Sequence, residues 1–166
     1  MDNTIKKSLI GIVSAGAFIA VLIWLGNAPE TDNRAQLASG NQALSAAETA
    51  YDFGRISMAK GPVTRAFAVR NTSTEPVRVR KLYTSCMCTT ASLLNGDKRI
   101  GPYGMPGHGA IPTFSETLAP GQEATVEVTF DPAAHGPAGV GAINRVVTLE
   151  HEQGTVQLRV TAFVTP

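Results

Sequence analysis

From Val156 to Val164 every second residue is apolar: Val156, Leu158, Val160, Ala162 and Val164, separated by Gln157, Arg159, Thr161 and Phe163. A repeat of two places one set of side chains on one face of an extended strand, whereas a helix needs a repeat near 3.6. The same alternation runs through Ala124, Val126, Val128 and Phe130, with Thr125, Glu127 and Thr129 between them. Val63, Phe67 and Val69 share a third parity, against Thr64 and Arg70. Strands buried on one face must be covered by another sheet or closed into a barrel.

The breakers between these runs set the connections. Asn71-Thr72-Ser73-Thr74-Glu75-Pro76 and Leu118-Ala119-Pro120-Gly121 are turns, and Arg145–His151 with Thr155–Val164 reads as a hairpin around Glu152-Gln153-Gly154. Val77 and Val79 share a face, but Leu82 falls out of step. A bulge near Lys81 restores the register and puts Leu82, Thr84, Cys86 and Cys88 on one face. Ala91 to Leu94 reads as a short edge strand, and the glycine- and proline-rich Asn95 to Pro112 as an irregular loop. Residues 51–166 are thus expected to form an all-β domain, an immunoglobulin-like antiparallel β-sandwich of about seven strands. A jelly roll or small barrel is the competing arrangement.

The N-terminus has another character. After Lys6 and Lys7, Leu9 to Leu25 carries no charged side chain and no polar face. The expectation is a cytoplasmic stretch 1–7, a transmembrane helix over 8–26 and a polar linker over 27–50, with a brief helix from Gln42 to Glu48. A cleaved signal peptide is the alternative, disfavoured by Pro29 after Gly26-Asn27-Ala28. With the lysines before the span, the positive-inside rule puts the N-terminus in the cytoplasm, the anchor in the inner membrane and the domain in the periplasm or extracellular space.

Several segments in order resemble a bacterial family. Tyr51-Asp52-Phe53-Gly54-Arg55-Ile56, Phe67-Ala68-Val69-Arg70-Asn71-Thr72, Ser85-Cys86-Met87-Cys88-Thr89-Thr90, Leu118-Ala119-Pro120-Gly121 and Val126-Glu127-Val128-Thr129-Phe130-Asp131 are similar to the signatures of the "domain of unknown function 1573" proteins. The resemblance implies an exported or membrane-anchored immunoglobulin-like domain, similar to PapD-like sandwiches, and assigns no chemistry. Family members commonly carry glycine where this chain has Met87.

Cys86 and Cys88 are the two cysteines of the chain. Five readings fit them: small buried hydrophobes, a mutual disulfide, disulfides to a partner chain, thiol–disulfide exchange, or thiolate ligands of a metal. If both lay in an extended strand, a mutual bond would sit near the upper limit of bridgeable separation, and a strained bond is easily reduced. Exchange lacks the Cys-x-x-Cys at a helix start that usually activates a thiol. As ligands they would need company, and Met105 and His108 in Gly104-Met105-Pro106-Gly107-His108-Gly109 are the candidates. Thiolate, thioether and imidazole together suit Cu(I), with zinc next. His135 in a solvated loop and His151 at the end of a hairpin strand both read as surface residues, and Met58 as part of a turn.

Catalytic patterns are missing: there is no nucleophile elbow, no phosphate-cradling loop and no carboxylate pair in a glycine-flanked cleft. A net charge of +1 without a basic tract argues against nucleic acid, and Arg78, Arg80 and Lys81 read as a solvated sheet face. The expected function is therefore a non-enzymatic binding or assembly module, attached to the membrane by its N-terminal helix and engaging another extracytoplasmic or membrane protein. Copper or zinc delivery and thiol–disulfide exchange are the alternatives.

Overall fold

The computed structural model describes residues 43–107 and 113–166. In chain order the strands are β1 (Leu44–Ala46), β2 (Ala50–Ser57), β3 (Val63–Asn71), β4 (Val77–Thr84), β5 (Thr89–Asn95), β6 (Lys98–Tyr103), β7 (Glu116–Leu118), β8 (Glu123–Phe130), β9 (Gly141–His151) and β10 (Gly154–Thr165). Two short 3-10 turns, Met58–Lys60 and Gly136–Gly139, are the helical elements among the described residues. None of the helices there is long and apolar enough to cross a membrane. The expected anchor over 8–26 lies outside the described residues.

Two five-stranded sheets face each other, in orders β1-β3-β8-β5-β6 and β2-β10-β9-β4-β7. The alternating runs supply both inner faces. Phe67, Val69, Leu93, Val126 and Val128 of the first sheet and Val79, Leu82, Leu149, Leu158 and Val160 of the second belong to one buried cluster. Each such side chain taken out of water contributes roughly 1.5–3 kcal/mol. A smaller cluster of Cys88, Phe130, Ile143, Ala162 and Val164 lies beside it, bordered by Cys86 and Met58 among others.

Several sequence expectations hold. The β9–β10 hairpin pairs His151 with Gly154 and continues to Gly141 opposite Val164, and all five residues of its apolar stripe are buried. The β4–β9 register shifts between Val79 and Lys81, so Val77, Val79, Leu82 and Thr84 all point inward.

Others need correction. The sandwich is not wholly antiparallel: β2 runs parallel to β10, while β1 just before it pairs with β3 of the other sheet. β1 lies where a linker and a brief helix were expected; Leu44 is fully buried, and an apolar residue with a sheet edge to pair with outweighs local helix preference. β5 is an interior strand flanked by β8 and β6. Its partner β6 forms within the segment expected to be irregular, because Gly96 takes a positive φ of 57° in the turn that reverses the chain. The strands therefore number ten among the described residues, against about seven expected.

Two polar ties hold this frame. Asn71 is fully buried; its amide donates to Glu75 O at 2.8 Å and Leu118 O at 2.9 Å, and its Oδ1 accepts from Ser73 N at 3.0 Å. Glu116 of β7 accepts from Asn95 Nδ2 at 2.8 Å and from Lys98 Nζ, joining the second sheet to the β5–β6 hairpin. The Lys98 ammonium holds the Glu116 carboxyl below its ordinary value against the opposing effect of burial.

Candidate thiol site at the β4–β5 turn

The strand carrying Leu82 and Thr84 does not continue through the cysteines. β4 ends at Thr84, and Ser85–Cys88 turns the chain from one sheet to the other. The polarity of Thr84-Ser85 supports this turn. The buried Thr84 hydroxyl lies 2.9 Å from both Cys86 O and Thr89 O, while Thr89 N–H donates to Cys86 O at 3.1 Å. The turn brings the Cα atoms of Cys86 and Cys88 to 5.3 Å, and the two sulfurs are joined as a disulfide. That separation lies inside the ordinary range for such a bond, so the limit expected for an extended strand does not apply.

Neighbouring strands complete the site. Thr89 is in register with Phe130, so the residues just before β5 meet those just after β8, and Asp131 N–H donates to Cys88 O at 2.9 Å. Asp131 then shapes its loop, accepting from Ala133 N at 2.8 Å through its carboxylate. The loop delivers His135, whose Nε2 stands 3.3 Å from Cys86 Sγ. On the other side Ser85 N–H donates to Val146 O and Val146 N–H to Ser85 Oγ, both at 2.9 Å. This clamp fixes the preceding residue, Arg145, whose Nε donates to Cys88 Sγ at 3.2 Å.

The two sulfurs differ in access. Cys88 is 3% exposed and part of the smaller apolar cluster, whereas Cys86 is half-buried. Met87 between them is 52% exposed. A nucleophile from outside therefore reaches Cys86 first, and Cys88 is the sulfur placed to leave. The guanidinium of Arg145 places a cation directly at Cys88 Sγ.

The ligand atoms of Cys86, Cys88 and His135 all lie within 4.8 Å of one another. Of the residues expected as ligands, Cys86 and Cys88 are at the centre. Met105 follows β6 beside Gly104, whose carbonyl accepts from Thr84 N at 3.1 Å, and His108 lies outside the described residues. His135 and Arg145 were missed as site residues. Their signal is topological: both become visible once β5–β8 and β4–β9 are paired.

A shallow cleft of about 530 Å³ elsewhere, lined by residues including Arg78, Arg80, Phe114, His151 and Glu152, shares no residue with this site. Its cations are matched by acids: Glu152 pairs with Arg78 at 3.4 Å and Arg80 at 2.6 Å, and Glu150 with Lys81 at 3.2 Å. His151 is not a surface residue but is buried there, its Nε2 without a hydrogen-bond partner.

Residues 44–101 match the family model described as "Protein of unknown function (DUF1573)", the family whose signatures the sequence resembles. The match takes in β1 to β5, the cysteine turn and the first part of β6, and stops before His135 and Arg145. No curated protein matches the chain in sequence. A protein of unknown function from Porphyromonas gingivalis W83 is similar in structure, with a TM-score of 0.54 and 16% identity over 73% of this chain and 46% of its own. This chain thus spans about half the length of that relative. PapD-like domain 7 of human CEP192 aligns at a TM-score of 0.42 and 14% identity, over 74% of this chain and 85% of its own. The CupB2 chaperone of Pseudomonas aeruginosa aligns at 0.38 and 14%, over 72% and 55%. At these identities the likeness concerns the fold alone.

Proposed function

We propose that this sandwich is a partner-binding module that exchanges disulfides through Cys86 and Cys88, held outside the cytoplasm by the apolar segment at residues 8–26. The observation that carries the exchange is the unequal setting of the two sulfurs, Cys86 reachable beside His135 and Cys88 buried beside Arg145. Lys6 and Lys7 before an uncharged apolar run support the anchor and its orientation. An oxidising compartment suits a bonded pair.

A partner thiolate attacks Cys86 Sγ, the Cys86–Cys88 bond breaks, and Cys88 departs as a thiolate beside Arg145. A second thiolate of the partner then attacks the partner sulfur of the mixed disulfide, releasing Cys86. The partner dithiol has lost two electrons and become a disulfide, and Cys86 and Cys88 take up its two protons as thiols. The reverse sequence, with a partner disulfide as oxidant, restores the bond. This is exchange between proteins, and Met87 offers an exposed apolar contact at its centre.

Incubation of the oxidised full chain with glutathione, followed by mass spectrometry, tests the reading. With oxidised glutathione supplied to the single-cysteine variants, Cys88→Ser should take glutathione onto Cys86 as a mixed disulfide, with release of one glutathione thiol, whereas Cys86→Ser should capture far less on the buried Cys88. A folded chain that resists glutathione for hours, or the opposite pattern in the two variants, would overturn it.

A further inference from the structure

We infer that the reduced form of the same pair is a Cu(I) site, with His135 as the third ligand and the Met58 thioether as an additional soft donor. The inference rests on the proposed reducibility of the disulfide and goes beyond it. Two sulfurs and an imidazole nitrogen already lie within 4.8 Å of one another, so reduction frees two thiols beside an imidazole already within reach. Met58 borders the apolar cluster that contains Cys88 and is also bordered by Cys86. Gly139 shows how closely Met58 and His135 approach: a Cβ there would meet His135 Cβ at 3.3 Å and Met58 Cε at 3.4 Å.

Donor chemistry and charge select the ion. Thiolate, imidazole and thioether are soft or intermediate donors, which favour Cu(I) and zinc over magnesium, calcium or manganese. Protein zinc is almost always four-coordinate with anionic or imidazole ligands in structural sites; Cu(I) accepts three donors and binds thioethers well. Binding begins with the two-electron reduction of the disulfide by a dithiol, which is itself oxidised to a disulfide. Cu(I) then displaces one proton from each thiol to solvent, leaving two thiolates and one monovalent cation, a net charge of −1. Arg145 at Cys88 Sγ offsets that charge. A divalent ion would instead leave a positive guanidinium against a neutral centre.

The test is anaerobic titration of the phosphine-reduced full chain with Cu(I) against the chromophoric chelator bicinchoninate, with a parallel Zn(II) competition. One Cu(I) per chain should be retained in preference to zinc. His135→Ala should weaken retention by more than about tenfold, the loss that even outer-shell partners of metal ligands can cause, and Met58→Leu by a smaller factor, while Met105→Leu matches the parent. No Cu(I) retention, preference for zinc, or unchanged affinity in both His135→Ala and Met58→Leu would overturn the assignment. His135 is on an exposed loop and Met58→Leu conserves volume, so neither variant threatens the fold. If glutathione exchange proceeds but Cu(I) is not held, only the copper inference falls. If Cu(I) is held by the reduced chain but the oxidised chain resists glutathione, only the exchange reading falls.

Discussion

The guanidinium of Arg145 donates from Nε to Cys88 Sγ at 3.2 Å, placing a cation on the less accessible of two bonded sulfurs. The contact exists because β9 runs beside β4 with Val147 opposite Thr84, so the chain just before Val147 passes the turn just after Thr84.

Arg145→Met should slow reduction of the folded, oxidised chain by dithiothreitol about tenfold. A hydrogen bond to a charged group contributes roughly 1.5–3 kcal/mol, and about 1.4 kcal/mol in a barrier is a factor of ten in rate. The contact gains most of its strength as Cys88 leaves bearing charge. Arg145→Lys should fall between the two, keeping charge without the planar fork. Thiol labelling over time measures the rates; equal rates for all three would show that Cys88 is not the departing sulfur.

Asn71→Ala should destabilise the domain by on the order of 3 kcal/mol, from two net hydrogen bonds and the carbonyl of Leu118 left unpaired in the interior. Urea denaturation measures the change in midpoint. A loss below about 0.5 kcal/mol, the usual effect of a surface substitution, would show that water replaces the amide there.

His151 gives stability a pH dependence of known sign. Burial pushes its imidazole below the ordinary value of 6.5, and Nδ1 accepts from Gln153 N at 3.3 Å, so the folded ring is neutral with its proton on Nε2. The unfolded chain takes up a proton near pH 6.5 and the folded chain only at lower pH. Stability from this group is therefore complete above about pH 6.5 and declines as pH falls toward the depressed folded value. Glu116 acts in a separate window: its carboxyl is held below 4.5, so its contribution is present above that value and is lost as pH drops through the folded one. His151→Gln should flatten the stability profile just below pH 6.5 and leave the more acidic limb intact. Denaturant midpoints across pH provide the measurement, and an unaltered slope near pH 6 would refute the assignment.

Much of the frame was readable because alternation is a strong constraint. The stripes through Val164 and Phe130 and the bulge before Leu82 follow from which residues must leave water. β1 and β6 were not readable in that way. Three residues around Leu44 hold too little pattern to outweigh an alanine-rich surrounding, and Gly101 and Pro102 within β6 look like breakers until a neighbouring strand is known. The site divides similarly. Cys86 and Cys88 stand out by type and spacing, whereas His135 and Arg145 lie 47 or more positions beyond Cys88 in sequence and reach it through strand register. His135 among Ala133, Ala134, Gly136 and Pro137 carries no local sign of a partner.

His135 and Gly139 offer the sharpest check on how the loop serves the sulfurs. With Nε2 at 3.3 Å from Cys86 Sγ, the imidazole stands within hydrogen-bond reach of the Cys86 thiol once the bond is reduced. In the reduced chain at neutral pH, iodoacetamide should therefore modify Cys86 well before the buried Cys88. His135→Ala should slow the Cys86 reaction several-fold and, as an exposed loop change, shift stability by no more than about 0.5 kcal/mol. Gly139→Val should reproduce part of that slowing, because its side chain would occupy the space bounded by His135 Cβ and Met58 Cε and displace one of them. Peptide mapping of the alkylated chain resolves the two cysteines. Faster modification of Cys88 would contradict the order of access, and an unchanged Cys86 rate in His135→Ala would remove the imidazole from the chemistry and leave it a loop residue beside a disulfide.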